Sequence, residues 1–415
     1  MKRRPLADDL LRDLAERHGT PLWVYDAHTL RERLAALFAA GSGRGFDVVR
    51  YAQKANPNLS LLRLLREGGA RVDAVSAGEL ARARLAGFEA REVVYCADLF
   101  DRPALDALAL EPFAVTVGSR DMLPYVAALR PGGRVGLRVN PGFGDGHHTK
   151  VTTGGETSKH GIWHADLAAA LDEARALGLV VDGLHVHIGS GVDVAALAPL
   201  RDAMRGWARQ VGAQLEWISC GGGLPIPYRG DEPPLDLDAL ADAWDATREG
   251  LEDDLGRRVR LEVEPGRFLV AEAGLLLAEV RGTKTSGGCE FVFVDAGFHD
   301  LVRPAMYGAW HHLSIVGRDG EPTAPRLVAG PLCESADLFT QGDGGVALPR
   351  ALPAAEVGDL LVVHDAGAYG AAMSSTYNSR PLAAEVLVDH GEARLVRRRQ
   401  TLAELFALER DAEPG

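Results

Sequence analysis

Lysine is scarce in this chain. Of 45 basic residues only five are lysine (Lys2, Lys54, Lys150, Lys159 and Lys284), which leaves 40 arginines. Arginine stays protonated, whereas lysine can shed its proton and attack a carbonyl, so each remaining lysine is a candidate for chemistry that arginine cannot perform. Cysteine is sparse as well: Cys96, Cys220, Cys289 and Cys333 show no CxxC pair and no regular spacing. That pattern predicts neither a metal site nor a disulfide framework, and a reducing cytoplasm is the expected compartment. No apolar run approaches the ~18 residues of a membrane span. The opening Met1-Lys2-Arg3-Arg4, followed by the charged stretch from Ala7 to Arg17, lacks the apolar centre of a secretion signal. Basic charge is in deficit, 45 against 58 acidic residues for a net charge of −13. Nucleic acid and anionic membrane are therefore poor partners. A small molecule or another protein remains.

What the chain does have is 415 residues, 47% hydrophobic and 25% charged. That is ample for a buried core and for two or three domains of about 150 residues, or for one barrel and a smaller domain. From about residue 45 to 267, short β-branched runs alternate with amphipathic helical runs. Eight strands are read: Val48–Ala52, Arg71–Val75, Val93–Ala97, Ala114–Val117, Arg134–Val139, Gly183–Ile188, Leu215–Ser219 and Val259–Val263. Helices such as Leu59–Glu67, Gly78–Ala86 and Leu237–Asp253 separate them. Eight βα units predict an α/β fold with a (β/α)8 barrel. After Arg267 the period shortens to strands between Gly, Pro and Asp turns, which predicts an all-β tail. The expected division is a barrel over 36–275 and a β domain over 276–415, completed by 1–35, whose single helix and strand are too little to fold alone. The polar, Gly-rich segment Asp145–His160 is expected to act as a lid.

Active sites of parallel barrels lie at the C-terminal ends of the strands. Strand one leads to Lys54 and strand two to Asp73. Strand six ends in His185-Val-His187-Ile-Gly-Ser190, strand seven in Cys220-Gly-Gly-Gly223 and strand eight in Glu264-Pro-Gly-Arg267. Singly, each has an ordinary structural reading: a surface lysine, a core histidine, a tight turn. Together they describe a pocket for pyridoxal 5′-phosphate. A buried lysine would be the Schiff-base residue, glycines would let backbone approach a phosphate, a carboxylate would keep a pyridine nitrogen protonated and a histidine would stack on the ring.

The motifs Tyr51-Ala-Gln-Lys-Ala-Asn56, His187-Ile-Gly-Ser190, Gly221-Gly-Gly223, Glu264-Pro-Gly-Arg267, Arg303-Pro-Ala-Met-Tyr-Gly308, Gly330-Pro-Leu-Cys-Glu-Ser335 and Asp365-Ala-Gly-Ala-Tyr-Gly370 occur in one order. In them the chain resembles the fold-type III, alanine-racemase-like pyridoxal-phosphate decarboxylases, from about Pro21 to Thr401. The branch it most resembles converts meso-2,6-diaminopimelate to L-lysine and CO2. The resemblance implies that Lys54 carries the cofactor, His187 stacks on it, and Ser190, Gly221, Gly222 and Gly223 hold its phosphate. Glu264 would pair with the ring nitrogen, Gly266 and Arg267 would line the site, and Asp73 and Glu79 would support Lys54. It further implies substrate contacts from Arg267, Arg303, Tyr307, Glu334 and Tyr369, the last also near the cofactor. The acid that protonates carbon would be Cys333, in a homodimer whose neighbouring subunit lends the Cys-Glu pair. Ala336, where glycine is commoner in the family, bears on the shape of that loop. Three other readings use much of the same text: a decarboxylase of D-lysine, D-ornithine or a related basic amino acid, an amino-acid racemase, and a non-enzymatic cofactor carrier. The racemase would need a tyrosine base and no Cys-Glu loop, and the carrier would be a lone barrel.

Overall fold

The structure, a computed structural model, describes residues 6–143, 154–191, 193–410 and 412. The segment expected to form a lid falls largely at 144–153, outside the described residues. Eighteen strands are described. In chain order they are β1 (Leu22–Asp26), β2 (Val48–Ala52), β3 (Arg71–Ala74), β4 (Val93–Ala97), β5 (Ala114–Val117), β6 (Arg134–Asn140), β7 (Ile162–Trp163), β8 (Val180–His185) and β9 (Trp217–Ser219). There follow β10 (Arg260–Val263), β11 (Gly274–Ser286), β12 (Cys289–Val294), β13 (Leu313–Ile315), β14 (Thr323–Ala329), β15 (Arg350–Pro353), β16 (Leu360–Val363), β17 (Ala384–Asp389) and β18 (Glu392–Arg397).

The chain divides into two compact units, one of Arg31–Pro225 with Pro234–Leu269 and one of residues up to Leu30, Ile226–Pro233 and Val270 onward. The divisions thus fall near 30 and 270 rather than at 35 and 275, and a short segment inside the barrel sequence groups with the β-rich unit.

In the first unit the strands pair in parallel in the order β5-β4-β3-β2-β10-β9-β8-β6, and β5 returns to β6 to close an eight-stranded barrel. Strands such as β2 and β6 are buried nearly throughout, as parallel strands under a ring of helices must be. Local sequence starts each helix where the barrel needs it. The Asn58 side chain accepts from Ser60 N–H at 2.9 Å ahead of helix Leu59–Glu67. The Ser76 hydroxyl caps Ala77–Leu85 through Glu79 N–H at 3.2 Å, and the Asp236 carboxylate caps Leu237–Leu255 through Ala239 N–H at 2.9 Å. Each cap satisfies a donor that the first helical turn leaves open. The strand loops therefore end abruptly, and the βα connections open at one mouth.

The second unit is a sheet in the order β15-β14-β12-β11-β1-β17-β18, with β16 bridging β11 and β13. Strand β1, from the start of the chain, runs antiparallel to β11 and parallel to β17. Alternate residues Leu22, Val24, Leu275, Leu277, Val386 and Val388 form one apolar face, against which Leu11 and Leu14 of helix Asp8–His18 pack. The tail is not purely β: short helices at Arg303–Tyr307, Leu402–Leu405 and Ala407–Arg410 interrupt it. Among the described residues no helix is long and apolar enough to cross a membrane.

Candidate active site

At the barrel mouth, three neighbouring strands place one acid in a fixed setting. His185 and Ser219 are register partners on β8 and β9, and Ser219 is in turn opposite Glu262 on β10. Glu264, two residues beyond Glu262, takes hydrogen bonds from both. His185 Nε2 donates to Oε2 at 2.7 Å and the Ser219 hydroxyl to Oε1 at 2.8 Å. Burial opposes ionisation here, yet the His185 and Ser219 contacts outweigh it and hold Glu264 down at about 2. The carboxylate is ionised at any physiological pH.

The glycine turn after β9 is shaped by close backbone approach. A Cβ on Gly221, at φ +69°, would lie 2.2 Å from the Val186 carbonyl oxygen, and one on Gly222 would lie 2.1 Å from that of Glu264. Glu264 N–H donates to Gly221 O at 2.8 Å, and Gly191 N–H donates to Gly223 O at 2.8 Å, so the turn is joined to both the Glu264 and the Ser190 loops. Two of its donors are spent inside the chain. Gly221 N–H goes to the Ser219 hydroxyl and Gly222 N–H to His187 Nδ1, each at 3.1 Å. These two bonds, together with the close backbone approach, set the shape of the turn. His187, accepting at Nδ1, is kept neutral: burial first, then the Lys54 and Arg138 charges, push it well below the usual range.

Lys54 sits in the single 3-10 turn Gln53–Ala55 directly after β2. The turn is seated on the Glu264 loop: Ala52 N–H donates to Pro265 O at 3.0 Å, and a Cβ on Gly266 would come within 3.2 Å of Ala55 Cβ. Lys54 is exposed, which corrects the premise of a buried amine. Its charge acts on Asp73, Glu79 and His187 together. Asp73 is buried, and burial followed by the Glu264 charge raises it to about 8 against the pull of Lys54. Glu79 accepts from Val75 N–H at 2.8 Å and is raised, chiefly by burial. Arg267 opens the short helix Arg267–Val270 directly behind Gly266. Cys96 and Cys220 are both raised by burial, as small interior groups are.

The remaining candidates lie in the β-rich unit. Arg303 is buried at the start of helix Arg303–Tyr307, where Pro304 fits the first turn and Gly308, at φ +59°, ends it. Its Nη1 donates to the Tyr228 hydroxyl at 3.1 Å and to His311 Nε2 at 2.9 Å, and His311 Nδ1 donates to His364 O at 2.8 Å. Tyr307 and Tyr369 are half-buried, the latter at φ +57°. Cys333 and Glu334 are exposed on a loop clamped by Asp337. The Asp337 carboxylate accepts from Leu332 N–H and Phe298 N–H, each at 2.7 Å, and so ties this loop to the segment that leads into the Arg303 helix. Cys333 N–H donates to Asn378 Oδ1 at 2.9 Å.

Sequence reasoning assigned no role to His185, Ser219, Tyr228, His311, Asp337 or Asn378. For His185 a signal existed, since residues two apart on a strand share a face and His185 stands two before His187.

The barrel mouth tests well for pyridoxal 5′-phosphate. An exposed amine shares the mouth with an ionised carboxylate, a neutral imidazole and a turn with no room for side chains. Asp73 Oδ1, Arg138 Nη2 and His185 Nδ1 are buried polar atoms without a partner. A family model described as the pyridoxal binding domain of pyridoxal-dependent decarboxylases matches residues 37–271. Diaminopimelate decarboxylase of Escherichia coli K12 is 52% identical over 412 residues, covering 97% of this chain and 96% of its own. A crystal structure of diaminopimelate decarboxylase superimposes with a TM-score of 0.93 at 50% identity, covering 98% and 97% of the two chains. The Helicobacter pylori enzyme complexed with L-lysine superimposes at 0.86 with 30% identity, covering 97% of this chain and all (100%) of that one. Fold and site define a pyridoxal-phosphate-dependent amino-acid decarboxylase built on an alanine-racemase-like barrel. Within that class, the chain belongs to the diaminopimelate decarboxylase family.

Proposed function

We propose that the protein removes CO2 from meso-2,6-diaminopimelate and releases L-lysine. The observation that carries this is the ionised Glu264, 10% exposed and fixed by His185 and Ser219 next to the Lys54 turn. Bound pyridoxal 5′-phosphate supplies a sink for the electron pair left when CO2 departs. Glu264 would offer that ring's nitrogen a negative charge, and His187 would lie against its face. Ser190 and the Gly221–Gly223 turn would receive the phosphate and Lys54 would anchor the group, with Asp73 in support of Lys54. Arg267 and Arg303 suit a substrate bearing two carboxylates, since a guanidinium fork grips a carboxylate bidentately. Arg303 is already oriented by Tyr228 and His311, so little freedom is lost when it binds. Tyr307 and Tyr369 complete the substrate contacts, and Glu334 pairs with the distal ammonium. The Cys333 thiol delivers a proton to the carbon that lost CO2.

We place the working protein in the cytoplasm as a homodimer, in which Cys333 and Glu334 of one subunit serve the Lys54 centre of the other. All four cysteines are free, in keeping with that compartment. The test is a substrate panel. The holoenzyme should release one CO2 per L-lysine from meso-diaminopimelate, and far less from D-lysine, D-ornithine, L-ornithine or L-arginine. Faster release from D-lysine or D-ornithine, or racemisation without CO2, would overturn the proposal.

A further inference from the structure

Two carboxylates on and after β10 are treated differently. Glu262 is paired with arginines: Arg50 Nε donates to its Oε2 at 2.5 Å and Arg260 Nε to its Oε1 at 2.6 Å. Glu264 forms no ion pair with an arginine among the described residues, and its two oxygens are held by His185 and Ser219. The difference has a chemical consequence. An arginine brings a carboxylate a full opposite charge, whereas a hydroxyl and an imidazole N–H fix it through single hydrogen bonds. His185 is suited to this by its place. Its ring is 3% exposed, and Nδ1 is buried without a partner. Nε2 is the ring nitrogen that faces Glu264, and because a carboxylate only accepts, Nε2–H is the donor of that bond. Of the other charged and titratable groups whose fields couple to Glu264, Arg50 is bonded to Glu262, and Asp73 and His187 form no hydrogen bond to Glu264 among those described.

We infer that His185 is a positioning residue, which holds the Glu264 carboxylate in one orientation for the ring nitrogen of the cofactor. The inference rests on the assignment of Glu264 to that nitrogen made above. A merely structural histidine would pack the barrel and leave Glu264 to act unaided. A positioning one must act through Glu264 alone.

The experiment is a double-mutant cycle read by the dissociation constant of pyridoxal 5′-phosphate, from protein resolved of cofactor and titrated back, with the visible absorption maximum as a second readout. His185→Leu should weaken cofactor binding about ten- to a hundredfold, the size of one hydrogen bond to a charged group. In a Glu264→Gln background the same change should cost no more than roughly twofold, the usual limit for non-interacting sites. His185→Gln, whose amide can donate to the same oxygen, should restore both affinity and absorption maximum, whereas the shorter His185→Asn should not. Equal losses in the two backgrounds, or no loss in either, would overturn the inference. If His185→Leu fails to fold, the Gln and Asn variants decide the matter, and equal affinities for those two would overturn it. A Glu264→Gln protein that binds as tightly as wild type would instead refute the ring-nitrogen assignment, which separates the two failures.

Discussion

Gly222→Ala is the sharpest structural probe of the barrel mouth. The added methyl would sit 2.1 Å from the Glu264 carbonyl oxygen and 3.1 Å from its carbon, so backbone, and not a flexible side-chain end, has to move. Relieving the clash takes a shift of about an ångström, since ordinary contacts begin near ~3.4 Å. That shift falls on the Gly222 N–H bond to His187 Nδ1 and on the Glu264 N–H bond to Gly221 O. Overpacking of this kind costs about 1–3 kcal/mol, which lowers the melting temperature by roughly 2–12 °C in a unit of this size. Because the displaced atoms belong to His187 and Glu264, cofactor affinity should fall as well. Gly206→Ala, inside helix Ala198–Val211 with nothing within 4 Å of the new methyl, is the control. It should stabilise by about 0.5–1 kcal/mol, as alanine does over glycine in a helix. Calorimetry and cofactor titration on the two variants decide. A Gly222→Ala protein that melts and binds like wild type would refute the reasoning.

Three further outcomes are expected. Asp73, raised to about 8 from an ordinary 3.8, holds a proton in the folded state that the unfolded chain has released. Stability of the cofactor-free protein should therefore decline as pH climbs from near 4 to near 8, and urea midpoints should show that decline reduced in Asp73→Asn, with Asp300, raised to about 7, keeping the remainder. Glu264 acts with the opposite sign, adding stability that is lost as pH falls from its ordinary 4.5 towards about 2. Arg50→Met breaks an ion pair whose side chains are 7% and 1% exposed. It should cost about 3–5 kcal/mol in denaturant unfolding, nearer the lower figure because Arg260 stays with Glu262, and more than removing both partners together. Mixing inactive Lys54→Ala with inactive Cys333→Ala subunits under exchange should restore up to roughly a quarter of wild-type activity, since a two-fold heterodimer keeps one intact site, whereas sites built within single chains would recover nothing.

The barrel was legible because its eight strands are runs of β-branched residues at regular spacing. The three strands that escaped, β7, β13 and β15, are only two to four residues long, too short to show a period. The grouping of Ile226–Pro233 with the β-rich unit is tertiary and left no local mark. Lys54, His187 and Glu264 could be found because each ends a strand, where barrel chemistry collects. What escaped was their support. His185 reads as one more strand residue until β8 and β9 are aligned, and Asp337 clamps its loop through backbone N–H groups that a sequence does not display. The expected burial of Lys54 failed for a related reason: a one-turn 3-10 segment carries it past the strand end and out of the barrel wall.

Lys54 as the anchor of the cofactor is the assignment on which the rest stands, and borohydride tests it directly. Reduction of the yellow holoenzyme should fix the cofactor on one peptide, the one containing Gln53-Lys54-Ala55, and Lys54→Ala should take up no label. Label on Lys150, Lys159 or Lys284, or undiminished label in Lys54→Ala, would contradict it.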